Sequence, residues 1–317
     1  MVSTPRLSIG LPVYNGDDYL AESLDSVLGQ TFGDFELIIS DNTSTDGTAE
    51  ICQSYVKQDS RIRYIRQPYN IGMVPNHNFV LSEARGELFK WASDDDLYAR
   101  DLFERCVSAL DERPNVVLAH SWSAMIDSAG AVVGQFEFAV AADRESAPDR
   151  FRSMLFDGWD DYTYGVIRTS VLRQLPPHNS FHFADRILNT RIALFGPFHL
   201  VPDWLYFRRE HPDRQLTVRT RCALMDPRRG NQMLHPIARL YAEYLLGYLS
   251  AIRGAPLSVA DRRQCYRYLA EWIVGRLMPV ANRTVRREAL RAWVPTSAPR
   301  AEISVDAVVA GRVSGPQ

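Results

Sequence analysis

From its start to about residue 126 the chain alternates short apolar runs with amphipathic stretches, and this alternation restricts it to βαβ units on a largely parallel sheet. Leu7-Ser8-Ile9-Gly10-Leu11 reads as the first strand, in an apolar stretch that ends at Pro12. Asp17 or Asp18 can cap the next helix, whose apolar face carries Leu20, Leu24, Val27 and Leu28 at spacings near four and three. Phe35 to Ile39 is the second strand, Asp46 can cap a helix holding Ile51 and Tyr55, and Ile62 to Ile65 is the third strand. A helix from about Val74 to Ala84, ended at Gly86, leads into the run Leu88-Phe89-Lys90-Trp91-Ala92. After a helix near Leu102 to Leu110 the pattern becomes mixed. Strands at Val116 to Ala119 and Val132 to Phe138 flank the turn Asp127-Ser128-Ala129-Gly130. Residues 139 to 160 read as an irregular loop. A strand at Tyr164 to Arg168, a helix over Asp185 to Phe195 stopped by Gly196-Pro197, and Leu200-Val201-Pro202 follow.

The carboxyl ends of parallel strands share one rim, where open α/β sheets bind ligands. Three polar clusters far apart in sequence fall there: Pro12-Val13-Tyr14-Asn15, Asp41-Asn42-Thr43 and Ser93-Asp94-Asp95-Asp96. The adjacent aspartates repel one another, so a cation is expected beside them. Carboxylate oxygens suit Mg²⁺ or Mn²⁺, and Mg²⁺ typically sits between one or two carboxylates and substrate phosphates. Taken alone, the same run also reads as a solvated loop or a helix start, since Asp favours the N-cap and the first turn.

At 317 residues the chain can bury a large core. Its net charge of −2 and the absence of a long basic block give no reason to invoke a nucleic acid. Lysine occurs only at Lys57 and Lys90, whereas arginine is abundant. Cys52, Cys106, Cys222 and Cys265 lack the close spacings of zinc or redox sites and read as free thiols in a reducing cytosol. The first apolar stretch is too short for a signal-peptide core, and no run approaches the roughly 18 to 20 apolar residues that span a bilayer. Amphipathic helices near Ile237 to Ile252 and Ala260 to Leu277 carry Arg239, Arg253, Arg262, Arg263, Arg267 and Arg276 beside Leu, Tyr and Trp. Residues from about 296 onward are rich in Ala, Ser, Gly and Pro and read as a loose tail.

Leu11 to Asn15, Ser40 to Thr48, Asn70-Ile71-Gly72, Asn78, Ala84-Arg85-Gly86 and the aspartate run occur in an order that resembles the bacterial, non-processive family 2 glycosyltransferases of the GT-A fold. The resemblance is strong over about residues 6 to 126 and weaker over 160 to 211. It implies an α/β protein, a mixed sheet flanked by helices, with a catalytic domain at 1–215, a helical C-terminal extension at 216–295 and a tail at 296–317. It also implies an inverting, metal-dependent transfer of one sugar from a nucleoside diphosphate sugar to an acceptor hydroxyl, with Mn²⁺ or Mg²⁺ as cofactor.

Residue by residue, the resemblance puts Pro12, Tyr14 and Asn15 at the nucleotide, with Asp41 accepting a hydrogen bond from a base N–H, as an ionised carboxylate can. Asn70, Gly72 and Asn78 would lie near the base and ribose. Asp94 and Asp95 belong to the donor side, and Asp95 and Asp96 to the metal. Two registers of this motif stay open, because Ser93 could stand where many relatives carry an acid. Phe183-Ala184-Asp185-Arg186 resembles the segment that supplies the catalytic base, here Asp185, with Asp160 and Asp161 as substitutes. Tyr206 to His211 resembles a segment after the last core strand, in which Arg209 would sit by the leaving group and His211 would complete the metal shell. Tyr164, Gly165 and Arg168 resemble a segment near the donor sugar, and Trp159 could stack on a sugar.

A UDP, GDP or dTDP sugar is the expected donor, and a glycolipid or cell-surface glycan the favoured acceptor. The protein is expected in the cytoplasm, with peripheral contact at the inner face of the membrane and self-association both open. Two rivals remain. A sugar-phosphate nucleotidyltransferase should carry a Gly-rich phosphate loop where this chain has Val13-Tyr14-Asn15. A non-catalytic nucleotide-sugar-binding protein would bind the donor without turning it over.

Overall fold

Strands β1 (Leu7–Val13) and β2 (Phe35–Asp41) are buried along nearly their whole length, which is why their sequences run apolar without alternation. The computed structural model describes residues 4–136, 141–156, 162–178, 184–211 and 236–277. β3 (Ile62–Arg66) and β4 (Leu88–Trp91) run parallel to this pair, in the order β3-β2-β1-β4. The sheet continues through β8 (Val166–Arg168), β6 (Leu118–Ile126), β9 (Phe198–Arg209) and β5 (Leu97–Tyr98), with β7 (Val132–Phe136) also paired to β6. β8 is antiparallel to β4 and to β6, and β9 is parallel to β6. The carboxyl ends of β1, β2, β4, β6 and β9 therefore share one rim.

Helices cover both faces. On one, α1 (Leu20–Leu28), α2 (Thr48–Gln58) and α4 (Leu102–Glu112) bury Leu20, Leu24, Cys52, Phe103 and Leu110 against Leu7, Ile9 and Leu37. On the other, α3 (Met73–Ser82), α6 (Thr169–Leu172) and α7 (Asp185–Ala193) bury Val80, Leu172, Leu188 and Ile192 against Ile38, Phe89 and Trp91. A third cluster joins α5 (Ala147–Phe156) and α7 to α8 (Pro236–Gly254) and α9 (Val259–Leu277) through Phe151, Leu155, Ile187, Tyr248, Leu269 and Trp272. Cys52, Cys106 and Cys265 are free and buried.

Several sequence expectations shift. β1 runs on through Pro12 to Val13. β6 extends from Leu118 to Ile126 across His120, Ser121 and Ser123, polar residues that hid the strand and that neighbouring strands bury. β9 spans twelve residues rather than Leu200 to Pro202 and takes Tyr206 to Arg209 into the sheet. Its register against β6 shifts around Trp122, and such bulges accommodate Pro202. Part of the expected loop at 139–160 is α5, whose apolar Phe151, Met154 and Leu155 are interleaved with Arg150 and Arg152. Neither Asp17 nor Asp18 caps α1, where Tyr19 holds the cap position without a side-chain bond. Asp46 does bond the first turn of α2, Oδ1 accepting from Thr48 N–H at 3.1 Å. Gly86 does not end α3. Its N–H donates to Ser8 Oγ, and a Cβ there would lie 2.7 Å from Ser8 N. Trp159, Asp160, Asp161, Cys222 and the expected tail lie outside the described residues.

Candidate functional site

The loops after β1 and β2 are stapled together. Asn15 N–H donates to Ser44 Oγ at 2.9 Å, Asn15 Oδ1 accepts from Thr45 N–H at 2.9 Å, and Gly16 N–H reaches Thr48 Oγ1 at 2.9 Å. Asn15 (φ 52) and Thr43 (φ 64) are the non-glycine residues with left-handed backbone here, so this junction holds two sparsely populated conformations side by side. Tyr14 beside them is 43% exposed.

Asp41 ends β2 and is wholly buried. Its Oδ1 accepts from Ser44 N–H at 2.7 Å, its Oδ2 from Tyr64 O–H at 2.8 Å, and Arg66 Nε lies 3.6 Å away. Burial, then the bond to Asp41, pushes the Tyr64 hydroxyl up. Asn42 carries the rim onward: its Nδ2 donates to Asn70 Oδ1 at 2.9 Å and its Oδ1 accepts from Ile71 N–H at 2.8 Å. Asn70 Oδ1 also accepts from Gly72 N–H, and Gly72 turns at φ 94 into α3. Asn70 and Gly72 thus stand beside Asn42, next to Asp41. Asn78 lies further along α3, and its amide is paired with the backbone of His178, at 2.8 Å and 3.1 Å. This pairing ties α3 to His178, and Asn78 is not turned to the rim.

At the aspartate run the three carboxylates point in different directions. Ser93 is held by Ser23 Oγ on its carbonyl and by Tyr98 O–H on its N–H, and its hydroxyl donates to Asp95. Asp94 packs over Gly16, where a Cβ would lie 2.4 Å from its Oδ2. Asp95 faces His211, Oδ2 to Nε2 3.1 Å, with the two side chains 14% and 15% exposed. Asp96 turns the other way. It is fully buried, accepts from Tyr206 O–H and from Arg209 N–H at 3.0 Å, and is therefore not the metal-facing carboxylate expected from the sequence.

Two further assignments are corrected. Arg209 is wholly buried behind the loop rather than beside a leaving group. Its guanidinium donates to Asp95 O at 2.9 Å, Ser128 O at 3.1 Å and Glu22 Oε2 at 2.6 Å, and lies 4.6 Å from the Tyr19 ring centroid. Arg168 pairs with Leu88, the first residue of β4, and so lies on the opposite rim. There it donates to Val116 O and Leu110 O, both at 2.7 Å, the latter an end carbonyl of α4.

Asp185 sits in the first turn of α7 without capping it, since Ala184 is the cap residue and no side-chain cap bond forms. It is half-buried and lies within electrostatic reach of Tyr244 on α8, whose hydroxyl is pushed up chiefly by burial. Gly165 packs so closely that a Cβ would meet Ala119 O at 2.7 Å.

A divalent ion fits Asp95 and His211. Adjacent vertices of an octahedron with bonds of about 2.1 Å lie about 3 Å apart, close to the separation of these two atoms. Among the described residues no third His, Cys, Asp or Glu joins them in a metal-holding group, so phosphate oxygens and water would complete the shell. The sequence gives no sign of Tyr98 at the site and assigns no individual role to Asn42 or Tyr206. The visible signal for buried polar structure here was Lys90, a charge inside an apolar strand.

The sheet order, the doubly covered faces and the acidic rim define a nucleotide-sugar transferase architecture of the GT-A kind. Residues 8–173, a little over half of the chain, match the model of Glycosyl transferase family 2, and the chain belongs to that family. It is 30% identical over 201 residues to "Glycosyltransferase GlyG" of Streptococcus pneumoniae, covering 60% of this chain and 65% of that one. It is 31% identical over 181 residues to "GalNAc(5)-diNAcBac-PP-undecaprenol beta-1,3-glucosyltransferase" of Campylobacter jejuni, covering 56% of each. The match thus spans less than two thirds of these relatives. Among solved structures, S. aureus TarS 1-349 in complex with UDP-GlcNAc superposes with a TM-score of 0.63 at 19% identity, over 84% of this chain and 71% of that one. Mannosyltransferase PcManGT from Pyrobaculum calidifontis, in complex with GDP-Man and Mn²⁺, gives 0.52 at 18% identity, over 92% and 85%. These likenesses show the GT-A fold.

Proposed function

We propose that the protein moves one sugar from a nucleoside diphosphate sugar to an acceptor hydroxyl with inversion at the anomeric carbon, aided by Mn²⁺ or Mg²⁺. The observation that carries this reading is the arrangement on one rim of the buried Asp41 carboxylate at the end of β2 and a mostly buried carboxylate and imidazole pair, Asp95 and His211. Family membership and the UDP-GlcNAc and GDP-Man bound by structural neighbours support the donor class.

In this reading Pro12, Tyr14, Asn15, Asp41, Asn70 and Gly72 receive the nucleotide, and Asp94 and Asp95 the ribose and diphosphate. Asp95 and His211 hold the divalent ion, which when bound neutralises charge growing on the departing diphosphate. Asp185 takes the proton from the acceptor hydroxyl as its oxygen attacks the anomeric carbon. The bond from that carbon to the diphosphate oxygen breaks in the same step, and the nucleoside diphosphate leaves with the electron pair. A Gly-rich phosphate loop after β1 is not there, which disfavours a nucleotidyltransferase.

The name of the Campylobacter relative, which includes an undecaprenyl diphosphate acceptor, supports a lipid-linked or cell-surface glycan as acceptor. Among the described residues no helix is long and apolar enough to cross a membrane. We assign residues 1–215 to catalysis and 216–295 to a helical extension, with a tail at 296–317. Exposed Leu246, Val259 and Val274 on α8 and α9 give that extension a surface for peripheral contact with the cytoplasmic face of a membrane or for self-association.

The test is nucleoside diphosphate release from UDP-, GDP- and dTDP-sugars with Mn²⁺ or Mg²⁺, alongside Asp95→Ala. Release that needs both metal and Asp95 is expected. Release that needs neither, or donor binding with no turnover across an acceptor panel, would overturn the proposal.

A further inference from the structure

Lys90 is one of two lysines in the chain and stands inside β4, wholly buried, five residues before Asp95. Its ammonium donates to Tyr164 O and lies 4.9 Å from the Tyr98 ring centroid and 5.8 Å from that of Tyr206. Tyr206 stacks between the other two rings, 5.8 Å from Tyr98 and 5.5 Å from Tyr164. The cation therefore sits against two tyrosine rings and the Tyr164 carbonyl. The adjoining cavity, about 10 Å³ and lined in part by Cys106, His120 and Ser123, has room for about one water. Lys90 cannot touch a donor from there.

The tyrosines in turn hold the aspartate loop. Tyr98 O accepts from Ser93 N–H at 2.8 Å, and Tyr206 O–H donates to Asp96. A cation on a phenol ring face is attracted to the ring quadrupole, which holds both rings in place, and at Tyr206 it also makes the hydroxyl a stronger donor toward the Asp96 carboxylate. The same charge offsets repulsion among the three aspartates in a low-dielectric setting. A compact ammonium suits this place, whereas a guanidinium fork would bring five donors to one carbonyl.

We propose that Lys90 is a positioning residue: its charge fixes Tyr98 and Tyr206 on the aspartate loop and thereby presents Asp95 to the donor before any divalent ion arrives. The inference rests on the reading of Asp95 as a donor contact.

Burial lowers the Lys90 ammonium to about 8, against the opposing pull of Cys106 and Asp96. Asp96, Tyr98, Tyr164, Tyr206, Cys106 and His120 face it. Burial pushes Cys106 up to about 12 and Tyr98 well above its usual value, and His120 down to about 3, so none of those three changes charge near pH 8. As pH rises through about 8 the cation is lost, and the loop should loosen.

The experiment is hydrogen exchange of the ligand-free full chain, wild type against Lys90→Met, read at the amides of Ser93 and Arg209. At pH 7 these should exchange about tenfold faster in the variant, while amides of β1 and β2 keep their protection. UDP with Mn²⁺ should bind wild type more weakly as pH rises from about 7 to 9, and bind Lys90→Met weakly across that range. Equal protection and parallel pH profiles in the two proteins would overturn the inference. Should Lys90→Met not fold, the wild-type pH dependence of Ser93 and Arg209 protection, corrected for intrinsic exchange, decides, and its absence would overturn it equally. A wild type that binds no nucleotide would instead sink the proposed function, with the exchange comparison still deciding the role of Lys90.

Discussion

Alanine at position 96 and alanine at position 95 should produce opposite phenotypes, although the two aspartates are neighbours in sequence. Asp96 is fully buried and accepts from the Tyr206 hydroxyl and the Arg209 amide. A hydrogen bond to a charged group contributes about 1.5–3 kcal/mol, and removing one partner leaves the other buried and unsatisfied. Asp96→Ala leaves two such donors behind, for a loss of roughly 3–5 kcal/mol, or on the order of 10 °C in Tm for a protein of this size. Asp96→Asn keeps the shape and one good bond and should cost about 1–2 kcal/mol. Asp95 is partly exposed and pairs with His211 at 3.1 Å, so Asp95→Ala should change stability by less than about 1 kcal/mol. Its donor turnover should nevertheless fall by about 10²-fold or more, since in the proposed function it faces the diphosphate. Thermal melting and nucleoside diphosphate release, measured on the same preparations, separate the two effects. An Asp96→Ala protein that melts like wild type yet loses its metal response would refute the register, as would an active Asp95→Ala.

Asp185→Asn should lower kcat by about 10²–10³-fold with little change in donor KM, and a kcat within threefold of wild type would remove it from the role of base. Arg168→Ala should destabilise the protein by about 2–3 kcal/mol through the orphaned carbonyls of Leu110 and Val116 while leaving kcat unchanged, which a melting curve and a rate assay test together. Glu36 gives a pH prediction. Burial alone would raise its carboxyl, but the bonds from Arg85, Ser8 and Arg63 outweigh burial and hold it below 4.5. A depressed folded value means that this stability is present above 4.5 and is lost as pH falls through the folded value, so Tm should drop there and drop less in Glu36→Gln. Truncation after residue 235 would strip α8 and α9 from Phe151, Leu155 and Ile187. Aggregation or a lower Tm is expected, and a truncated chain that melts like wild type would show that those contacts stabilise nothing.

Much of the fold was legible because burial on both faces leaves an uninterrupted apolar run, as in β1 and β2. β6 and β9 were cut short in the reading for a complementary reason: His120, Ser121, Pro202 and Asp203 break the apolar pattern at a place where the two strands pair through bulges. α5 was hidden by arginines. Arg150 is buried there because its guanidinium donates to Ala193 O at 2.6 Å and to the carbonyls of Arg144 and Glu145, partners that no local pattern announces.

The site divides along the same line. The chain by itself determined that Pro12 to Asn15, Asp41 to Thr43 and the aspartate run reach one rim, because the shared direction of the strands follows from the βαβ alternation. Three consecutive aspartates, however, point in different directions, and only contacts from distant segments decide which one faces a ligand. Tyr206 draws Asp96 inward across 110 residues, His211 meets Asp95 across 116, and Arg209 closes the loop from behind. Arg168 was likewise misassigned because β8 runs antiparallel to β4, and a strand three residues long carries no mark of its direction. Residue type and spacing set which groups gather at the rim; side-chain direction there is a property of packing and hydrogen-bond partners, which the tertiary structure alone supplies.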